Sequence, residues 1–221
     1  MSFRRRLTAV VLRRRGKAAF ILGVPFGGNV LDVGCGNASA SYIKSLRPDV
    51  HYVGIDVGDY HQTPDSKSMM DEYIVSDPKK FADTIISLGA RFDAVISNHN
   101  LEHCDDQSST LRAMGTVLKD RGELYLAFPS EASVRFPRRA GTLNFYDDDT
   151  HQAVPSWTSI IQALGDQGLA VKFSRRRYRP LILFVLGALL EPWSAKKRQI
   201  DRWGASWAFW GFESVIWARR L

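Results

Sequence analysis

Apolar and polar positions follow two alternating rhythms along this chain. Short apolar runs bounded by Gly, Pro or Asp are followed by segments whose apolar residues recur at helical spacing. Residues 29–33, 51–55, 72–75, 93–97, 122–128, 170–173 and 213–218 read as strands. Residues 38–46, 109–118 and 156–164 read as helices. In the second of these Leu111, Met114, Val117 and Leu118 share a face, and Ser156 is the expected N-cap of the third. Strands that alternate with helices are the sequence form of a parallel sheet covered on both faces. The expected fold is therefore α/β: a doubly wound, mostly parallel seven-stranded sheet over residues 28–221, after a basic N-terminal extension at 1–27. Two connections exceed what such a unit needs, a loop at 129–155 and an insertion at 174–212 before the last strand. Both contain too many aromatic and apolar residues to be plain linkers.

Composition narrows the class. The chain has 221 residues, of which 45% are hydrophobic, enough for one domain with a full core and too many for wholesale disorder. Cys35 and Cys104 do not form a disulfide framework, and no Cys/His spacing matches a zinc site, so a reducing compartment and no metal are expected.

Charge adds a second feature. The net charge is +7, and it gathers at the two ends. Arg4, Arg5, Arg6, Arg13, Arg14, Arg15 and Lys17 crowd the start; Arg175, Arg176, Arg177, Arg179, Lys196, Lys197, Arg198 and Arg202 crowd the last fifth. Such ends suit an anionic partner or serve as a solvated surface. Residues 7–12 are too short a run for a signal peptide, and the apolar run 181–190 is about half a membrane span. A cytoplasmic protein is expected, with peripheral contact to an anionic membrane as one use of its basic residues. The run 181–190, with Trp203, Trp207, Phe209, Trp210 and Phe212 after it, is compatible with an interfacial anchor, with nucleic-acid stacking, and with core packing or a homodimer seam.

The segment Val30-Leu31-Asp32-Val33-Gly34-Cys35-Gly36-Asn37 carries the chemistry. An apolar strand enters a Gly-x-Gly turn and leaves it as a helix, whose N-terminus offers free N–H groups. Gly36 permits close approach of a ligand to the main chain. The dinucleotide fingerprint requires a third glycine where Ser39 stands. Asp32, just before the turn, favours a cationic ligand group and would repel a pyrophosphate. Asp56, about twenty residues after the turn, ends the second strand where ribose hydroxyls are gripped in this architecture. Asp77 follows the third strand, where it can accept from an adenine amine. The fourth strand runs from Phe92-Asp93 to Ser97-Asn98-His99-Asn100-Leu101-Glu102-His103.

On these residues, over roughly 28–128, the chain resembles the class I S-adenosylmethionine-dependent methyltransferases, of the type 11-like kind. The resemblance implies S-adenosylmethionine as cofactor, held by Asp32, Gly34, Cys35, Gly36, Asp56, Val57, Asp77, Ser97, Asn98 and His99. In that set Asp32 and the glycines hold the methionine end, Asp56 the ribose and Asp77 the adenine. It says little about the acceptor.

For the acceptor only candidates arise. A hydroxyl benefits from a general base, and His151, His99 and His103 are the histidines placed for it. His151 closes Phe145-Tyr146-Asp147-Asp148-Asp149-Thr150-His151, on the loop that leaves the ligand edge of the sheet. The expected reaction is methyl transfer to an oxygen of a small or lipid-linked polar acceptor, such as a saccharide. Methylation of RNA or protein is the alternative, although Ser97-Asn98-His99-Asn100 replaces the Asn-Pro-Pro-Tyr type of motif. A non-catalytic cofactor-binding scaffold is the other.

Overall fold

The computed structural model describes residues 11–59, 62–201 and 203–221; Arg4, Arg5, Arg6 and Arg202, counted among the basic ends, lie outside them. The elements run α1 (Lys17–Leu22), β1 (Asn29–Val33), α2 (Ser39–Leu46), β2 (His51–Asp56), α3 (Pro64–Ser68), β3 (Glu72–Val75), α4 (Phe81–Ser87), β4 (Phe92–Asn98), α5 (Gln107–Thr116), β5 (Leu118–Pro129), α6 (Trp157–Asp166), β6 (Leu169–Arg175), α7 (Leu181–Lys197), α8 (Ala205–Trp210) and β7 (Glu213–Arg220).

The seven strands form one sheet in the order β3-β2-β1-β4-β5-β7-β6. Neighbours from β3 to β5 pair in parallel, and β7 runs antiparallel to both β5 and β6. The strand order reverses between β1 and β4, so the ligand crevice of such a sheet lies at the carboxyl ends of those strands.

Period-two alternation explains the two layers. Leu31, Val33, Val53, Ile55, Val95, Leu124 and Leu126 point to one face, where α4, α5 and α6 cover them with Phe81, Ile85, Leu111, Met114, Ile160 and Leu164. Val30, Tyr52, Ala94, Ile96, Tyr125 and Ala127 point to the other, under Phe20 and Ile21 of α1 and Ala40, Ile43 and Leu46 of α2. Residues 18–24, assigned by sequence to the basic extension, thus contribute Ala18, Phe20, Ile21 and Val24 to the core.

The expected elements are present with shifted ends. The helix expected at 109–118 spans Gln107–Thr116, because Asp106 caps it by accepting from the Ser109 N–H, while Leu118 already pairs with Phe92 in the sheet. Ser156 caps α6 as expected, accepting from the Ser159 N–H. The short helices α1, α3 and α4 have no counterpart in the expected list.

The insertion is helical. The apolar run at 181–190 continues through Pro192 to Lys197 as α7. One side of α7 and α8 packs together through Leu183, Ala205 and Ala208, with Leu186 and Leu190 against them. The long loop packs onto the insertion through Phe136, Leu143, Phe212, Trp207 and Trp210. Arg139 of the loop, nearly buried, forms a two-pronged pair with Glu191 of α7 at 2.5 and 2.8 Å and donates to Ser194 at 2.8 Å. The Trp207 indole donates to Thr142 O at 2.6 Å, and Ala140 bridges to Gln199. Loop and insertion therefore form one roof at the ligand edge. No helix among the described residues is long and apolar enough to cross a membrane.

Candidate active site

The glycine turn is built as its sequence requires. Gly34 has φ +73° and Gly36 φ +52°, a region closed to most side chains. A Cβ on Gly34 would stand 2.3 Å from Asn100 Oδ1, so the turn and the segment after β4 are in direct contact. A Cβ on Gly36 would meet nothing within 4 Å, which leaves open space over the main chain at that point.

Asp32 is buried below the turn. Its Oδ2 accepts from Tyr52 OH at 3.0 Å, from Lys17 Nζ at 3.3 Å and from Ser39 Oγ; its Oδ1 has no partner. An unpaired carboxylate oxygen in the interior costs about 1–3 kcal/mol or more, and a cationic ligand group removes that cost. Asp56, also buried, accepts from Gly36 N–H and Val57 N–H, each at 2.8 Å. Burial raises its pKa, which these two bonds oppose. The side-chain amide of Gln62 donates to Gly36 O, and Ser66 Oγ donates to Asn37 O at 2.8 Å.

The remaining expected residues divide. Asp77 is exposed and caps a short turn at Pro78–Lys80, accepting from the Lys79 N–H at 2.8 Å. Cys35 is buried, with its thiol against Gly54 and pushed up by burial and by Asp32 and Asp56. Its N–H donates to Ile55 O at 3.3 Å. Ser97 is buried with an unpartnered hydroxyl, and Asn98 lines a cavity of 300 Å³ with Lys17, Tyr125, Leu183 and Trp203. A neighbouring cavity of 530 Å³ is lined by the roof itself, through Gln199, Ile200, Trp203, Gly204 and Trp207, together with Arg13, and shares Arg13 and Trp203 with the first.

His99 differs from the expectation that it serves as a base. It follows β4 with φ +54°, unusual for a residue with a side chain. Its Nδ1 lies 3.1 Å from Glu102 Oε1 and its Nε2 3.1 Å from Glu213 Oε1. Glu213 in turn pairs with Arg13 at 2.7 Å. Burial works against a charged ring, but the hydrogen bonds and charges of the two glutamates outweigh it and raise the pKa to about 9. Since carboxylates can only accept, both ring nitrogens carry protons. His99 therefore has no lone pair to offer near neutral pH.

His103 and His151 are arranged in the opposite way. His151 Nδ1 donates to Phe145 O at 2.5 Å, and His103 Nδ1 faces Thr150 O at 3.2 Å and Thr150 Oγ1 at 3.0 Å. A carbonyl accepts only, so Nδ1 holds the proton in each neutral ring and Nε2 carries the lone pair. The two rings lie 4.8 Å apart. Of the three adjacent acids, Asp147 is used to fold the loop, accepting from the N–H groups of Arg139, Leu143 and Asn144. Asp148 holds Thr150 and lies 3.9 Å from His151 Nε2.

The chain matches the family model of a methyltransferase domain over residues 3–172. It belongs to that family. No curated protein matches it in sequence. Among solved structures, a chain of the Haloferax volcanii complex between a methyltransferase and its activator is similar at 17% identity with a TM-score of 0.63, covering 98% of this chain and 94% of that one. An S-adenosylmethionine-dependent methyltransferase of Mesorhizobium loti is similar at 14% identity with a TM-score of 0.61, covering 91% and 95%. Phosphoethanolamine N-methyltransferase 2 of Haemonchus contortus, solved with S-adenosyl-L-methionine, has 14% identity and a TM-score of 0.59, covering 99% of this chain and 53% of that one. The family makes this methyltransferase an enzyme of S-adenosylmethionine. Its turn fits that cofactor: an open glycine, an unpaired buried carboxylate oxygen and an acid at the end of β2 stand together at the switch point.

Lys17, Ser39, Tyr52, Gln62, Arg13 and Glu213 are the site residues that sequence reading passed over. Only Lys17 and Arg13 had any signal, as members of the basic start, and nothing in their spacing points to Asp32 or Glu213.

Proposed function

We propose that this methyltransferase carries the methyl group of S-adenosylmethionine to an oxygen of a small or lipid-linked polar acceptor, with a saccharide hydroxyl as the class that suits it. The observation behind this reading is the pair of imidazoles, His151 and His103, each with its lone pair on Nε2 at the ligand edge. The cofactor supplies an electrophilic methyl on a sulfonium. Asp32 and the glycine turn hold its methionine end, Asp56 and Val57 its ribose, and Asp77, Ser97 and Asn98 the remaining edge. With that cofactor bound, His151 Nε2 would take the proton of the acceptor hydroxyl as its oxygen receives the methyl group. Asp148 steadies the imidazolium: burial opposes its charge, but its bonds to Thr150 and the nearby His151 hold its carboxyl below the usual range. Trp203 and Trp207, with Gln199 and Arg13, supply aromatic walls and polar groups of the kind that orient a polar ligand.

Incubating an extract with labelled S-adenosylmethionine tests this. Label is expected in a saccharide or lipid fraction, and Asp56→Ala should raise the KM for the cofactor about 10–100-fold, the loss of a charged hydrogen-bond partner of about 1.5–3 kcal/mol. Label confined to RNA or protein would overturn the acceptor assignment.

The outer side of α7 supports peripheral membrane contact as a second element of the function. Leu181, Val185, Leu189 and Trp193 repeat at four-residue spacing on one stripe and are 49–75% exposed. Exposed Arg175, Arg176, Arg177 and Arg179 precede the helix, and Lys196, Lys197 and Arg198 end it. Basic residues contribute roughly 1 kcal/mol each near an anionic bilayer, and an apolar stripe adds to them. The protein should float with anionic vesicles at low salt and leave them as salt rises. If it ignores the vesicles and sediments as a dimer, the stripe belongs to a second copy.

A further inference from the structure

The sequence shows no metal spacing, but the fold assembles a set of ligands from two distant segments. We infer that Glu102, His103 and His151 form a binding site for one divalent first-row transition metal. A carboxylate oxygen of Glu102 and one nitrogen from each histidine lie within 4.8 Å of one another. Glu102 is fully buried, and while its Oε1 meets His99, its Oε2 has no partner at all. A buried carboxylate with one bare oxygen, grouped with two imidazoles, is a set that a cation completes.

The surroundings of each ligand agree. A metal-binding histidine needs its second nitrogen fixed by an acceptor, so that ring direction and tautomer are set in advance. Phe145 O does this for His151, and Thr150 O for His103. His99 does it for Glu102. The Gln152 N–H donates to Glu102 O at 2.8 Å, tying the loop that carries His151 to the turn that carries the other two. Two imidazoles and one carboxylate suit zinc, cobalt, nickel or iron rather than magnesium or calcium, which prefer all-oxygen shells. Bound donors stand roughly 3.3 Å apart around such an ion, so the three side chains would draw closer together as it binds. Three protein ligands also leave a position open for water or substrate.

The site stands on this geometry; its consequence for catalysis rests on the oxygen-transfer reading. An oxygen placed at the open position would lose its proton to solvent more readily, as metal-bound water does. The ion would then replace the imidazole lone pair as the activating group.

Titrating the chelator-treated full chain with Co²⁺ tests the inference through the visible absorption of the ion, with Zn²⁺ displacing it. One ion per chain is expected, together with a rise in Tm. His103→Ala and His151→Ala should each weaken binding by at least 10–100-fold, and so should Glu102→Gln, which keeps the buried shape. A wild-type chain that takes up no stoichiometric Co²⁺ or Zn²⁺ overturns the site, as does undiminished binding in the His103→Ala/His151→Ala double variant. Oxygen methylation that persists in a chain shown to bind no ion would remove the metal and keep the histidine base. Stoichiometric binding with label found only on nitrogen would keep the metal and remove the oxygen acceptor.

Discussion

Replacing His151 by alanine is expected to lower turnover by about 10²–10⁴-fold, the range typical of losing a general acid–base group. The cofactor's affinity should stay within about twofold, because His151 comes from the loop after β5 and is not among the groups that hold the glycine turn. The loss should fall on kcat more than on KM for the cofactor, since His151, as the base or as a ligand of the activating ion, acts when the acceptor proton leaves. His103→Ala is the control for the neighbouring ring. Single-turnover rates with saturating cofactor measure both. A His151→Ala enzyme as fast as wild type would remove this residue from the catalytic group and leave His103 as the remaining lone pair. Calorimetry with S-adenosylhomocysteine checks that the variant still binds and is folded.

Replacing Glu213 by alanine should cost about 3–5 kcal/mol of stability, the price of leaving buried charges without their partner. Glu213 is buried between the Arg13 guanidinium at 2.7 Å and the His99 ring at 3.1 Å. Burial pushes its pKa upward, but Arg13 and His99 prevail and bring it from 4.5 to about 2. For a chain of this length the loss corresponds to a fall in Tm of roughly 10 °C. The sign of its pH dependence follows. A depressed carboxylate pKa contributes stability that is present above the unfolded value and lost as pH falls through the folded value. Wild type should therefore lose stability between pH 4.5 and about 2 through this group, and Glu213→Ala should lack that part of the slope. Denaturant melts at several pH values measure both effects. Glu213→Gln, which keeps the shape and one acceptor, should retain more stability than the alanine variant. Equal stability of wild type and Glu213→Ala would show that Arg13 and His99 find other partners.

Much of this molecule was legible in one dimension because the relevant information is local. A strand that alternates faces, a helix with an apolar stripe, a cap such as Ser156 and a turn that needs Gly34 are fixed by residues close together in sequence. The sheet, the glycine turn and the acids at the ends of β1 and β2 follow from such patterns, and they carried the assignment of family and cofactor. Short helices such as α1, α3 and α4 were not legible, since they are too short to show a period. The roof was legible only as excess length with aromatic content; its helices took form once Arg139 could meet Glu191 and Phe212 could meet Phe136 and Leu143.

What the tertiary structure alone decided is the protonation chemistry. Three histidines near the ligand edge look alike in sequence. Folding places carboxylates on both nitrogens of His99, which then stays charged, and a carbonyl on Nδ1 of His103 and of His151, which sets the lone pair of each neutral ring on Nε2. Glu213 reaches His99 from the last strand, and His151 reaches Glu102 from the loop after β5. A group's pKa and its capacity to bind an ion depend on what lies within a few ångströms. No spacing along the chain encodes those distances before the sheet brings the segments together.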